Sequence, residues 1–305
     1  MSVNDNLATF AGLPVVPLER ETVEDPAAVA WRIEMEDFEA PPEEFEAALD
    51  QLLERCGPAG PTALIVGEWG TAYETPFPME LLVNRADRLS GLRGLFIGEI
   101  SPEQCEISWI NQGDLTPLLE AFPALEHLWV RGSEDLQLTS LRHEGLRELV
   151  FESGGLPAGV VRAIGASELP NLTFLELWLG VSNYGGDARA EDLAPILAGR
   201  SLPALTHLGL RNAEIADEVA AALAAAPVVA RLAELDLSLG VMGDTGAEAL
   251  LAGQPLTHLK SLDLSHHFMT TEMAQRFVEE LPGVAVDVSH QQSDREWGRF
   301  TAVSE

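Results

Sequence analysis

Leucine recurs through the second half of this chain on a fixed beat. Leu205, Leu208 and Leu210 stand in LTHLGLRN, and the same spacing returns in LAELDLSL, LKSLDLSH and LTFLELWL. Those copies carry Leu232/Leu235/Leu237, Leu259/Leu262/Leu264 and Leu172/Leu175/Leu177. Weaker copies lie upstream at Leu92/Leu95/Ile97, Leu125/Leu128/Val130 and Leu146/Leu149/Phe151. The first positions are 92, 125, 146, 172, 205, 232 and 259, so the steps are 33, 21, 26, 33, 27 and 27 residues. Between the copies run segments of helical period: DLTPLLEAF, PAGVVRAIG, DLAPILAG, ADEVAAALAAA, DTGAEALLAG and TTEMAQRFVEEL. Several open with Asp or Thr, residues suited to an N-cap. A strand and a helix alternating at this period predict parallel strands on one wall and helices on the other.

Upstream of residue 91 the pattern changes. Residues 1–27 carry few periodic signals. In AVAWRIEME, Val29, Trp31, Ile33 and Met35 alternate with Ala30, Arg32, Glu34 and Glu36, as in a half-buried strand. PPEEFEAALDQLLERCG follows, with Phe45, Leu49, Leu52 and Leu53 on one helical face and Gly57 past the end. TALIVGEW reads as a buried strand and FPMELLVNRADRL as a further helix. These signals predict an N-terminal segment and α/β cap over 1–90, repeats over 91–289 and a tail over 290–305. The cap would cover the first repeat's apolar edge. LPGVAVDVS supplies a last strand, and Trp297 and Phe300 could fold back onto the end repeat.

LxxLxL is the leucine-rich-repeat pattern, and LDLSLGVMGDTGAEALLAG resembles one repeat of the ribonuclease-inhibitor-like class. ISWINQGDLTPLLEAFPALE and LELWLGVSNYGGD resemble a family of uncharacterised bacterial cytoplasmic leucine-rich-repeat proteins, over most of the chain. The resemblance implies an α/β leucine-rich-repeat solenoid, a horseshoe with a parallel inner sheet and outer helices, and a protein-binding scaffold. It implies no enzymatic activity. One departure stands out. The repeat's turn Asn is replaced by Gly180, Ala213, Gly240 and His267, so these turns must satisfy their polar groups otherwise.

Charge narrows the partners. Eighteen basic against 49 acidic residues give −31, and Lys260 is the one lysine. Such a field disfavours nucleic acid and anionic membranes and speeds encounter with a basic protein; it also simply keeps a protein soluble. Cys56 and Cys105 are far apart and form no metal or redox motif. The N-terminus lacks a basic segment followed by an apolar run, and no stretch reaches the about 20 apolar residues of a membrane span. A cytoplasmic setting is expected. No nucleophile, phosphate-loop or zinc-protease motif occurs, and no cofactor is expected.

Residues flanking the leucines should line the inner wall, because neighbours on a strand alternate. The first half then presents Phe96, His127, Trp129, Arg131, Glu148 and Glu152. The second presents Phe174, Glu176, Trp178, His207, Arg211, Glu234, Asp236 and Asp263. Aromatics and arginine suit a binding hot spot, or the protein's own loops could cover them. Trp178 and Tyr184, with Trp129 and Arg131, are the expected contact patch; Tyr184 lies in GVSNYGGDARA, which absorbs the extra residues of the longer 172–205 step. The alternative is a regulatory or catalytic subunit that binds a cation or a basic small molecule at the acidic wall around Glu234, Asp236 and Asp263. A rigid wall, however, offers fewer oxygens than a calcium ion needs. His266 and His267 are neighbours on an extended segment and would point apart, which favours a structural role.

Overall fold

The computed structural model describes residues 6–20, 22–296 and 298–304. The chain folds as two compact units. The first comprises Met1–Thr139 with His143–Glu152, the second Ser140–Arg142 with Ser153–Ser304.

The first unit holds strands β1 (Thr9–Phe10), β2 (Leu13–Pro17), β3 (Ala30–Ile33), β4 (Ala63–Val66), β5 (Gly94–Ile97), β6 (His127–Arg131) and β7 (Glu148–Glu152), side by side in chain order. β1 and β2 pair antiparallel as a hairpin, and every later pair is parallel. Helix α1 (Pro42–Cys56) buries Phe45, Leu49, Leu52 and Leu53, the stripe expected from the sequence. Short helices α2 (Glu80–Val83) and α3 (Thr116–Ala121) occupy the next two crossovers.

The second unit repeats the plan. Strands β8 (Phe174–Gly180), β9 (His207–Ala213), β10 (Glu234–Asp236), β11 (Ser261–Asp263) and β12 (Ala285–Asp287) pair parallel. Helices α4 (Ala158–Ala166), α5 (Ala194–Ala198), α6 (Ala216–Leu223), α7 (Asp244–Leu251) and α8 (Thr271–Glu280) lie between them or flank them. Register follows the repeat: Leu175 faces Leu208, Leu235 faces Leu208 and Leu262. Leu177, Leu210, Leu237 and Leu264 are all buried, as the repeat predicts. This is the leucine-rich-repeat α/β solenoid fold.

Two local expectations are corrected. Residues 7–17 are not featureless: they build the β1–β2 hairpin, which packs on the helix-free face of β3–β5 and against Trp129. Because that face is covered, β3 does not alternate, and Ala30, Trp31, Arg32 and Ile33 are all buried. Helix capping also differs. Two of the expected openers cap their own helices: Asp114 accepts from the Thr116 amide at 2.9 Å and Thr270 from the Met273 amide. Elsewhere the aspartates reach across repeats: Asp217 accepts from the Gly243 and Gly246 amides at the start of α7, and Asp244 from the Thr270 amide at the start of α8. An aspartate near one helix start therefore satisfies the orphan N–H groups of the next helix.

Candidate functional site

The open faces of the strands carry the candidate residues, and each unit has its own. In the first unit Trp129 is half-buried. Its ring meets Phe10 edge-on at 5.8 Å and Phe96 at 5.5 Å. Glu148 accepts from Trp129 Nε1 at 2.8 Å and pairs with His127 Nδ1 at 2.7 Å, so one carboxylate ties two side chains of the neighbouring strand. Arg131 is buried; its Nε donates to Glu152 at 2.7 Å and Nη1 to the Ile100 carbonyl. A second buried pair lies under the hairpin. Arg32 Nε donates to Glu99 at 2.6 Å, and Glu99 also accepts from the Leu7 amide. Burial pushes the Glu99 carboxyl above the ordinary range, against the opposing pull of the Leu7 amide and Arg32.

In the second unit the wall is polar. Arg211 is buried; its Nη1 bonds Glu176 at 2.6 Å and its Nε lies 3.2 Å from Asp236. Burial opposes the Arg211 charge, but Glu176 and Asp236 outweigh it and hold the guanidinium pKa above its ordinary value. Trp178 Nε1 donates to the same Glu176, and the Arg211 guanidinium lies 5.1 Å from the Trp178 ring centroid. Beside this knot, the His207 ring stacks on Phe174 at 3.8 Å and 7°. Its Nδ1 bonds Glu234 at 3.1 Å, while its buried Nε2 has no hydrogen-bond partner and faces Glu176 at 4.0 Å.

Asp236 and Asp263 face one another on adjacent strands, as the register requires. Each is engaged locally. Asp236 accepts from the Ser238 amide at 2.9 Å, Asp263 from Ser265 at 2.8 Å and Asp287 from Ser289 at 2.8 Å. A repeated Asp-x-Ser step thus closes the end of each of these three strands. Bonds from Ser289 hold the Asp287 carboxyl below the ordinary range. Among the described residues no group of three or more His, Cys, Asp or Glu is arranged to hold a metal ion.

The expected patch is not assembled as an exposed set of anchors. Trp178 is 1% exposed and Phe96 0%, and Arg131 is buried too. Each lies on the face that alternation assigned to it, but neighbouring side chains and the hairpin cover that face. Phe96, Trp129 and Arg131 belong to the first unit, Trp178 and Tyr184 to the second. Tyr184 sits in a 3₁₀ turn, Ser182–Tyr184, in the extra length after β8. Its carbonyl packs so closely on Gly155 that a β-carbon there would fall 2.0 Å away. Phe174, Glu234 and Asp263 keep exposure, as does part of the His207 ring.

The tail also folds back. Phe300 packs edge-on against His266 at 5.6 Å and Phe268 at 5.5 Å, whereas Trp297 lies outside the described residues. The Ala302 amide donates to the Leu239 carbonyl, and the Val303 amide to Asn212 Oδ1 at 3.0 Å.

No protein-family model and no curated protein matches this chain. Solved structures do. A crystal structure of a Bacteroides fragilis protein, a structural-genomics target, aligns at a TM-score of 0.78 and 30% identity, covering 90% of this chain and 78% of that one. The TLR13–ssRNA13 complex aligns at 0.45 and 14%, covering 91% of this chain and 35% of that chain. An internalin from Listeria monocytogenes aligns at 0.32 and 17%, covering 87% and 82%.

Proposed function

From the premise that this chain belongs to the bacterial leucine-rich-repeat family of the Bacteroides fragilis protein, we propose that it is a non-enzymatic, cytoplasmic scaffold that binds another protein. In this reading its repeats, which settle to a strand and a helix at 27-residue steps in the last two, are of the ribonuclease-inhibitor-like class. The observation that carries the reading is the open face of β8–β11. There Phe174, stacked on His207, stands beside Glu234 and Asp263 on strands locked in register, partly exposed. An aromatic anchor beside partly exposed carboxylates is what a protein hot spot uses.

The binding residues in this reading are Phe174, His207, Glu234 and Asp263. Glu176 faces the His207 ring at 4.0 Å and is itself held by Arg211, which also pairs with Asp236. The partner is basic, in keeping with the charge of −31. The test is a cross-linked pull-down from native cell extract with the parent and with a Phe174→Ala, Glu234→Lys double variant. Both residues lie at least partly outside the core, so the variant should melt with the parent. A partner captured by the parent should be lost from the variant. A full set of partners retained by a folded variant would remove this wall as the site.

A further inference from the structure

The first unit exposes a row of aromatics that its fold does not use. Phe38 is 55% exposed, Tyr73 41% and Trp109 55%, and these are three of the four large hydrophobic residues exposed among the described residues. They stand on the consecutive loops that leave β3, β4 and β5. Backbone bonds tie those loops together: the Thr71 amide donates to the Phe38 carbonyl at 2.6 Å and the Asn111 amide to the Ala72 carbonyl at 2.9 Å. Asn111 Nδ2 also bonds both the Ala72 and the Trp109 carbonyls. The row is therefore a held edge of the unit and not three loose tips.

The loops that carry it bear charge of one sign. Residues 34–41, 67–79 and 98–115 contain no lysine, arginine or histidine. Glu39, Glu74 and Glu106 are exposed among the aromatics. The carboxylates of Glu74 and Glu39 lie close enough to the Tyr73 hydroxyl to act on its ionisation. The loops bearing Tyr73 and Trp109 run on into an apolar pocket of about 340 Å³, lined by Pro76, Phe77, Met79 and Pro117 with Asp114 at its edge.

Elsewhere this protein shows what such rings take. Arginine lies over Trp31, Phe96, Trp178, Phe268 and Phe300, at 4.3 to 5.5 Å from the ring centroid. Among the described residues no arginine of the chain lies over Phe38, Tyr73 or Trp109. A guanidinium satisfies both halves of the surface, stacking on the ring and bonding a carboxylate. Nucleic acid, anionic lipid and a second copy of a chain of −31 are all repelled here.

We propose that Phe38, Tyr73 and Trp109, set among Glu39, Glu74 and Glu106, form a docking surface for an arginine-rich segment of a partner protein, with the neighbouring pocket taking an apolar side chain of that segment. None of its residues belongs to the wall of the second unit, so either surface can fail without the other. The probe is a fluorescein-labelled peptide of Arg-Gly-Gly repeats carrying one leucine, titrated by anisotropy into the whole protein. The parent should bind it saturably, and the equivalent lysine peptide at least tenfold more weakly. A Tyr73→Ala, Trp109→Ala variant keeps the net charge, and its residues are surface residues, so its melting curve should match the parent's. It should lose at least tenfold in affinity, whereas Phe174→Ala, Glu234→Gln in the second unit should not. No saturable binding by the parent, equal affinity for lysine, or full binding by the charge-neutral double variant would each overturn the proposal.

Discussion

His267 stands where a turn asparagine is expected, and it makes an asparagine's bonds. Its Nδ1 accepts from the Met269 amide at 3.2 Å and its Nε2 donates to the Val288 carbonyl of the next turn at 3.0 Å. His143 does the same between the Leu146 amide and the Phe122 carbonyl. One nitrogen accepts and the other donates, so both rings are neutral, and burial pushes both below the ordinary imidazole value of 6.5. Each then binds its proton more weakly folded than unfolded. The stability they contribute is full above pH 6.5 and declines as the pH falls through 6.5 towards the lower folded values. Replacing His267 by Leu should cost about 1–3 kcal/mol at neutral pH, since it orphans a buried amide and a carbonyl. His267→Asn should keep most of that and flatten the dependence between about pH 6.5 and pH 5. Urea melts at stepped pH measure both; an unchanged slope for His267→Asn would mean the ring is not the proton-sensitive group. The missing asparagines were legible in the chain. That a histidine supplies their bonds was not, because ring nitrogens find their partners only once turns from different repeats stack.

Among the elements, the β1–β2 hairpin is the one that period gave no hint of. Its strands are 2 and 5 residues long, too short to show alternation. Its weight comes from tertiary contact. Phe10 is buried against Phe96 and Trp129, and Ala11 sits where a β-carbon on Gly94 would fall 2.9 Å from it. The Leu7 amide and carbonyl bind the buried Glu99–Arg32 pair. Phe10→Ala should therefore cost about 3–5 kcal/mol in chemical denaturation, as for any buried phenylalanine. A loss under about 1 kcal/mol would show that the hairpin does not pack as described. The leucine strands and the helices behind them were legible from spacing alone, since burying one leucine row fixes their register. The aromatic edge was less so. Phe38, Tyr73 and Trp109 fall in loops without period, and the only signal was aromatic residues in an acidic, cation-free stretch.

On the scale of the whole molecule, −31 acts first on the protein's own stability. Carboxylates repel one another in the compact state, and salt screens them. The melting temperature should rise between about 20 mM and about 300 mM sodium chloride, where the Debye length shrinks from about 20 Å to below 10 Å. A flat curve would mean that pairs such as Arg85 with Glu46 and Asp50, or Arg276 with Glu248, already balance the field. Repeat length, strand register and the identity of the buried leucines were properties of the chain alone, because a periodic pattern that can be buried in only one way needs no distant partner to define it. Which residues of the open face stay reachable was decided in three dimensions. Trp178 and Phe174 lie on that same face of one strand, yet the Glu176–Arg211 pair closes over the first and leaves the second stacked at the surface. A strand's alternation assigns a side chain to a face; only the groups that converge on that face from other repeats determine whether water or a partner can touch it.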